Sequence, residues 1–188
     1  IWRSGIKTLR NSAANSFMDS PNGYQIQSIG DAMIQSLALM YCFGNYSMSE
    51  KALREFADAQ FENGMIPAVC PGNFYFNVLD FAFLWPLWLY KHYRMCGNQK
   101  LCLDLVHNLG RLLEYFATLE DPESGLITDI GSRFGLRCII DYADIGRDGM
   151  VTGVNALYCR CLLTSADIYG IVDDPEAAAK CSARASQI

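Results

Sequence analysis

Charge is scarce in this sequence. Only 19% of the 188 residues are Asp, Glu, Lys or Arg, against roughly 25% in ordinary soluble domains. The 15 basic residues are outnumbered by 20 acidic ones, for a net charge of -5. No basic block interrupts the chain, so nucleic acid and anionic membranes are not expected partners. Histidine is scarcer still, with His92 and His107 alone, and none of the eight cysteines forms a C-x-x-C pair. Zinc spacing is therefore absent, and no metal or cofactor is expected. No apolar run is long enough to cross a bilayer: the longest, Phe81 to Tyr90, is interrupted by Pro86 and is about half the length needed. Neither histidine has a paired serine or cysteine nucleophile, and Gly131, Gly135, Gly146 and Gly149 do not make a phosphate-binding fingerprint. The chain starts at Ile1-Trp2 without a signal region and stops inside a helical pattern. With so little charge, this predicts a piece of a larger structure whose surface is partly covered by more protein.

Apolar residues are plentiful, at 51%, and their spacing is helical. One segment of about 29–43 carries Met33, Leu37, Met40 and Tyr41 on an apolar face and ends at Gly44-Asn45. Ser47-x-x-Glu50 reads as a capping box that opens a second helix with Leu53, Phe56, Ala57 and Phe61 inward. A nearly all-apolar third spans about 78–96, and Pro86 is expected to kink it or to cap a short first turn. A fourth covers about 99–119 and a fifth about 151–169; Asp174-Pro175-Glu176 opens another, and residues 3–15 form one more. No strand and no repeat is visible, so the expected class is all-α. The cysteines at 42, 102, 159 and 161 fall in helical apolar patterns and read as reduced core thiols, which favours a cytoplasmic setting.

The connections alternate. Short turns at 44–48, 97–98 and 172–173 separate long links at 64–77 and 120–150, with a further long link at 17–29. Short links make antiparallel hairpins, and strict alternation sets the hairpins side by side with every long link at one end. That end collects Asp19, Asp31, Asp80, Asp141 and Asp144 with Tyr24, Tyr75, Phe76, Trp85 and Tyr142. Each aspartate alone is explained as a helix cap. Together, acids that move protons and rings that stack on sugars suit carbohydrate chemistry.

The stretch Asp19-Ser20-Pro21-Asn22-Gly23-Tyr24-Gln25-Ile26-Gln27-Ser28-Ile29-Gly30-Asp31 resembles the signature D-C-P-x-x-E-Q-x-x-x-x-G-D of the α-L-rhamnosidases, glycoside hydrolase family 78. Gly64-Met65-Ile66-Pro67 is similar to that family's G-x-I-P turn, and Asp80-Phe81 to its Asp-Trp pair. Ile140-Asp141-Tyr142-Ala143 is similar to its I-D-W-A segment, and Asn155-Ala156-Leu157-Tyr158 to its N-A-L-Y. The matches keep their order and cover nearly all of the chain. The resemblance implies an (α/α)6 toroid, of which this chain would be a single partial catalytic domain supplying about half the ring. Such a half-ring, with its apolar flanks exposed, is expected to self-associate, to swap elements or to be only marginally stable.

The resemblance also implies inverting hydrolysis of terminal α-L-rhamnosides or similar sugars, and hence a carbohydrate partner. By that analogy Asp31 and Asp19 are the catalytic candidates, holding sugar hydroxyls or donating the proton. Asp80, Asp141, Tyr24, Phe76, Trp85 and Tyr142 make up the expected substrate-binding set. The signature's acid, a glutamate, is Tyr24 here, and a phenol of pKa about 10 is a poor proton donor at neutral pH. The family's base glutamate has no counterpart before residue 188. An enzymatic parent with an incomplete fragment is therefore the first expectation. A saccharide-binding relative without catalysis is the second, and a helical scaffold for protein binding the third.

Overall fold

The computed structural model describes the chain except residues 21, 24, 73–76, 134 and 141–145, and the side chain of Ser132. Among the described residues there are seven α-helices and no strand: α1 (Trp2–Ser12), α2 (Ile29–Phe43), α3 (Ser47–Asp58), α4 (Leu79–Cys96), α5 (Gln99–Ala117), α6 (Thr152–Ile171) and α7 (Pro175–Ala185). Their ends are chemically defined. Ser28, Asn98 and Asp174 cap the starts of α2, α5 and α7 with their side-chain oxygens. Gly44 and Gly97 end α2 and α4 in the left-handed conformation, at φ 60° and 69°.

Three hairpins result, α2/α3, α4/α5 and α6/α7. Helix α4 packs against both α2 and α6, forming an inner layer. α3 backs the α2–α4 pair and α5 the α4–α6 pair, while α1 lies on α2 and α7 on α6. The core between the layers is aromatic. Trp88 meets Phe17 and Phe56 edge-on at 6.3 and 6.1 Å, and Phe83 packs on Phe116 and Tyr158 at 4.7 and 5.6 Å. Trp85 and Trp88 are both fully buried. Pro86 is accommodated inside α4, which runs on without a break.

The long links do lie at one end, and hydrogen bonds knit them to the heads of the inner helices. At α2, the Ile29 N–H donates to Ala68 O (3.0 Å) and the Cys70 N–H to Gln27 O (3.1 Å). At α4, Leu79 N–H donates to Arg137 O (2.8 Å) and Arg137 N–H to Asn77 O (2.9 Å). At α6, the buried Asn155 amide both accepts from Ile127 N–H (2.9 Å) and donates to Ile127 O (3.0 Å).

Two local expectations need correction. The buried stripe of α2 is Ile29, Ala32, Ser36, Leu39 and Met40, whereas Tyr41 is 75% exposed. Met40 is buried as the spacing predicts and Met33 packs against the core, but the helix is apolar nearly all round and its buried stripe is rotated away from Tyr41. At α3, Ser47 is not the cap. Asn45 Oδ1 accepts from the Ser47 hydroxyl (3.1 Å) and Met48 N–H (3.4 Å), and Glu50 is drawn away to Arg54 and Asn98.

Candidate active site on the long-link face

The head of α2 brings Asp19 and Asp31 together. Ser28 Oγ accepts from the Asp31 N–H at 3.3 Å, and the Ser28 hydroxyl donates back to Asp31 Oδ2. This reciprocal pair fixes the half-buried Asp31 carboxylate at the mouth of the helix. Asp19 sits in the preceding link, its N–H bonded to Ile26 O (3.2 Å), with its side chain exposed. The slight desolvation it still feels from the surrounding link, and then the nearby charge of Asp31, shift the Asp19 carboxyl upward from the ordinary aspartate value.

Polar residues that the sequence reading passed over build the frame around this pair. Gln35, one turn beyond Asp31, donates to Met18 O at 2.8 Å and so pins the link beside Asp19; its Oε1 is buried without a partner. Gln27 is 2% exposed and uses its whole amide: Oε1 accepts from Phe17 N–H (3.0 Å), and Nε2 donates to Cys70 O (2.7 Å) and Glu55 Oε2 (3.1 Å). An i, i+4 polar partner of Asp31 in an otherwise apolar helix was the available signal for Gln35. Gly30 matters for a steric reason. A Cβ there would stand 3.2 Å from the Phe81 ring, so the Gly-Asp pair at the head of α2 and the Asp-Phe pair at the head of α4 pack directly together.

The other expected site residues divide into three groups. Asp80 is only 6% exposed, and its Oδ1 and Oδ2 accept from the backbone N–H groups of Ile139 (3.0 Å) and Ile140 (2.9 Å). Both oxygens are committed to the protein, so it organises the third long link instead of offering a free carboxylate to a sugar. Trp85 points into the core with no exposed surface, its indole N–H toward Leu53 O at 3.4 Å. It packs between the helical layers and presents no face for stacking. Tyr24, Phe76, Asp141 and Tyr142, with Tyr75 and Asp144, lie outside the described residues. Among the described residues, no cluster of three His, Cys, Asp or Glu side chains is placed to hold a metal.

The family model for the bacterial α-L-rhamnosidase six-hairpin glycosidase domain matches residues 1–188. The chain belongs to this family. No curated protein matches it in sequence. Among solved structures, a family 78 rhamnosidase of Bacillus sp. GL1 superposes with a TM-score of 0.90 at 22% identity, over 99% of this chain and 19% of that one. A Klebsiella oxytoca rhamnosidase with rhamnose bound gives 0.84 at 21% identity, over 97% of this chain and 35% of its own. A Dictyoglomus thermophilum α-L-rhamnosidase gives 0.74 at 16% identity, over 97% and 21%. The chain thus spans about a fifth to a third of the length of these enzymes. Its three hairpins are part of a six-hairpin glycosidase ring.

Proposed function

We propose that the long-link face is part of a saccharide site that takes terminal α-L-rhamnose or a similar sugar, in a protein that hydrolyses the glycosidic bond with inversion. The observation that carries this reading is the juxtaposition of Asp19 and Asp31 at the head of α2, in a chain of rhamnosidase family. Inverting hydrolysis needs a carboxylic acid on the leaving oxygen and a carboxylate that activates water. Asp19, the second carboxyl at this end of the chain, takes the acid's part or holds a sugar hydroxyl. Asp31, oriented by Ser28, accepts sugar hydroxyls. The base lies outside these 188 residues, so the chain by itself is one part of a catalytic domain and turns over no glycoside. Exposed Ile34 and Tyr41 on α2 and Leu163 on α6 support self-association through the open flanks.

A second reading is favoured by one residue. Tyr24 stands where the signature has its acid, which fits a relative that binds a saccharide and does not cleave it. The test is calorimetric titration of the folded chain and of Asp31→Asn with L-rhamnose, beside an assay on aryl α-L-rhamnosides. Both readings expect binding that weakens about tenfold or more in the variant, since charge-assisted hydrogen bonds are lost. Folded protein that binds no L-rhamnose, or an Asp31→Asn protein that binds it equally well, sinks the site assignment. Turnover by a longer chain containing this one, abolished by Asp31→Asn, separates the enzyme from the binder.

A further inference from the structure

Asp80 stands in the first turn of α4, where an aspartate ordinarily complements the positive end of its own helix dipole. Here its two oxygens instead hold the N–H groups of residues 59 and 60 positions further along the chain. What they hold is unusual. Ile140 has φ 47°, a left-handed conformation that is strained for a β-branched residue. Its neighbours brace it from two further directions. Arg147 Nη2 donates to Ile139 O at 3.1 Å, and the Ile140 side chain lies against Gly153 in the first turn of α6, where a Cβ would meet Ile140 Cγ2 at 3.3 Å. The left-handed turn at Ile140 is thus clamped between the heads of two inner helices, immediately before Asp141 and Tyr142 in the sequence.

We propose that Asp80 is a positioning residue: its carboxylate holds Ile140 in the left-handed conformation and so fixes the backbone of the third long link at Ile139 and Ile140 against the heads of α4 and α6. The consequence for sugar binding rests on the function proposed above; the clamp itself does not. If the clamp works this way, the strain at Ile140 and the carboxylate at Asp80 are coupled. A glycine at 140 adopts positive φ without strain and should make Asp80 less necessary.

The test is a double-mutant cycle in the 188-residue chain with Asp80→Asn, Ile140→Gly and the double variant. It is read by amide hydrogen exchange, thermal midpoint and L-rhamnose titration. Asp80→Asn should speed exchange at Ile139 and Ile140 about tenfold or more, as expected for losing a charge-assisted hydrogen bond, while Leu89 in the middle of α4 keeps its protection. Ile140→Gly should change the thermal midpoint more favourably in the wild type, where the strain is held, than in Asp80→Asn, where the released residue has already relaxed. Where the wild type binds L-rhamnose, binding should fall in Asp80→Asn and recover in part in the double variant. Gly153→Ala, which keeps Asp80, should also speed exchange at those two amides by pushing on Ile140, and it serves if Asp80→Asn does not fold. Unchanged exchange at Ile139 and Ile140 in the variant examined, or additive effects in the cycle, overturns the proposal. Wild-type protein that binds no sugar but shows the coupling overturns the functional reading alone.

Discussion

Replacing Gly64 by alanine puts a methyl group where the backbone leaves no room. Gly64 follows α3 at φ 92°, and an added Cβ would lie inside contact distance of the Arg111 carbonyl oxygen, 3.0 Å from its carbon and 3.4 Å from Tyr115 Cβ. That carbonyl belongs to the middle of α5, and the two segments are tied together around it. Arg111 donates to Phe61 O (2.7 Å), Glu62 O (3.0 Å) and Gln60 Oε1 (3.2 Å), and Gln60 Nε2 donates to Gly64 O (2.8 Å). The turn also sends Met65 and Ile66 into the core, at 1% and 0% exposure. Left-handed strain and overpacking together predict a loss of about 2–5 kcal/mol for Gly64→Ala. For a chain of this size that is a thermal midpoint lowered by about 4–20 °C. Gly97→Ala is the control. It has a similar φ of 69° but nothing within 4 Å of the added carbon, so only the conformational cost of about 1–2 kcal/mol applies. Urea unfolding of the three proteins measures both losses. A Gly64→Ala protein no less stable than Gly97→Ala would refute the close-approach argument.

Three further outcomes follow from the same geometry. Asp31→Asn removes the neighbouring charge, so the Asp19 carboxyl should titrate at lower pH in the variant, measured by carboxyl-carbon NMR; an unchanged titration would mean the two groups are not close. His92 is 1% exposed, and burial lowers its pKa below the ordinary 6.5. The unfolded chain therefore binds the proton more readily, and stability should be full above about pH 6.5 and decline as pH falls from there toward the lower folded pKa. Urea midpoints between pH 8 and 5 should show this slope and lose much of it in His92→Gln. Ser49 Oγ accepts from Trp88 Nε1 at 2.9 Å and meets His92 Nδ1 at 3.1 Å in the core. Ser49→Ala strands both rings and should cost about 2–4 kcal/mol by denaturant unfolding; a loss below about 0.5 kcal/mol, the usual scatter for surface changes, would contradict it.

The helices and their order were legible because each carries its own punctuation. Gly44, Gly97, Asn98 and Asp174-Pro175 mark ends that need no tertiary information. The alternation of link lengths then placed the long links at one end. What was hidden depends on packing. α2 and α4 are apolar nearly all round, so the sequence could not say which stripe of α2 faces its neighbours, nor that Trp85 turns inward while Asp80, five residues earlier, turns to the third link. At α3, Asn45, one residue before the N-cap Tyr46, accepts from the Met48 N–H, while Glu50 pairs with Arg54 and, across to the start of α5, Asn98. Gln27 and Gln35 read as ordinary polar residues; only the folded links supply the carbonyls that make them part of the frame. Motif spacing singled out Asp19 and Asp31 as candidates. Their mutual influence became visible only once the head of α2 was built.

The most direct measurement is an L-rhamnose titration of the isotopically labelled chain, followed by backbone amide NMR. The account predicts shifts concentrated at Asp19, Asp31 and Gln35, reproducible in the wild type and lost in a folded Asp31→Asn variant. Folded protein that shows no shifts there, or shows them on the outer helices α3 and α5 instead, would contradict a sugar site on the long-link face.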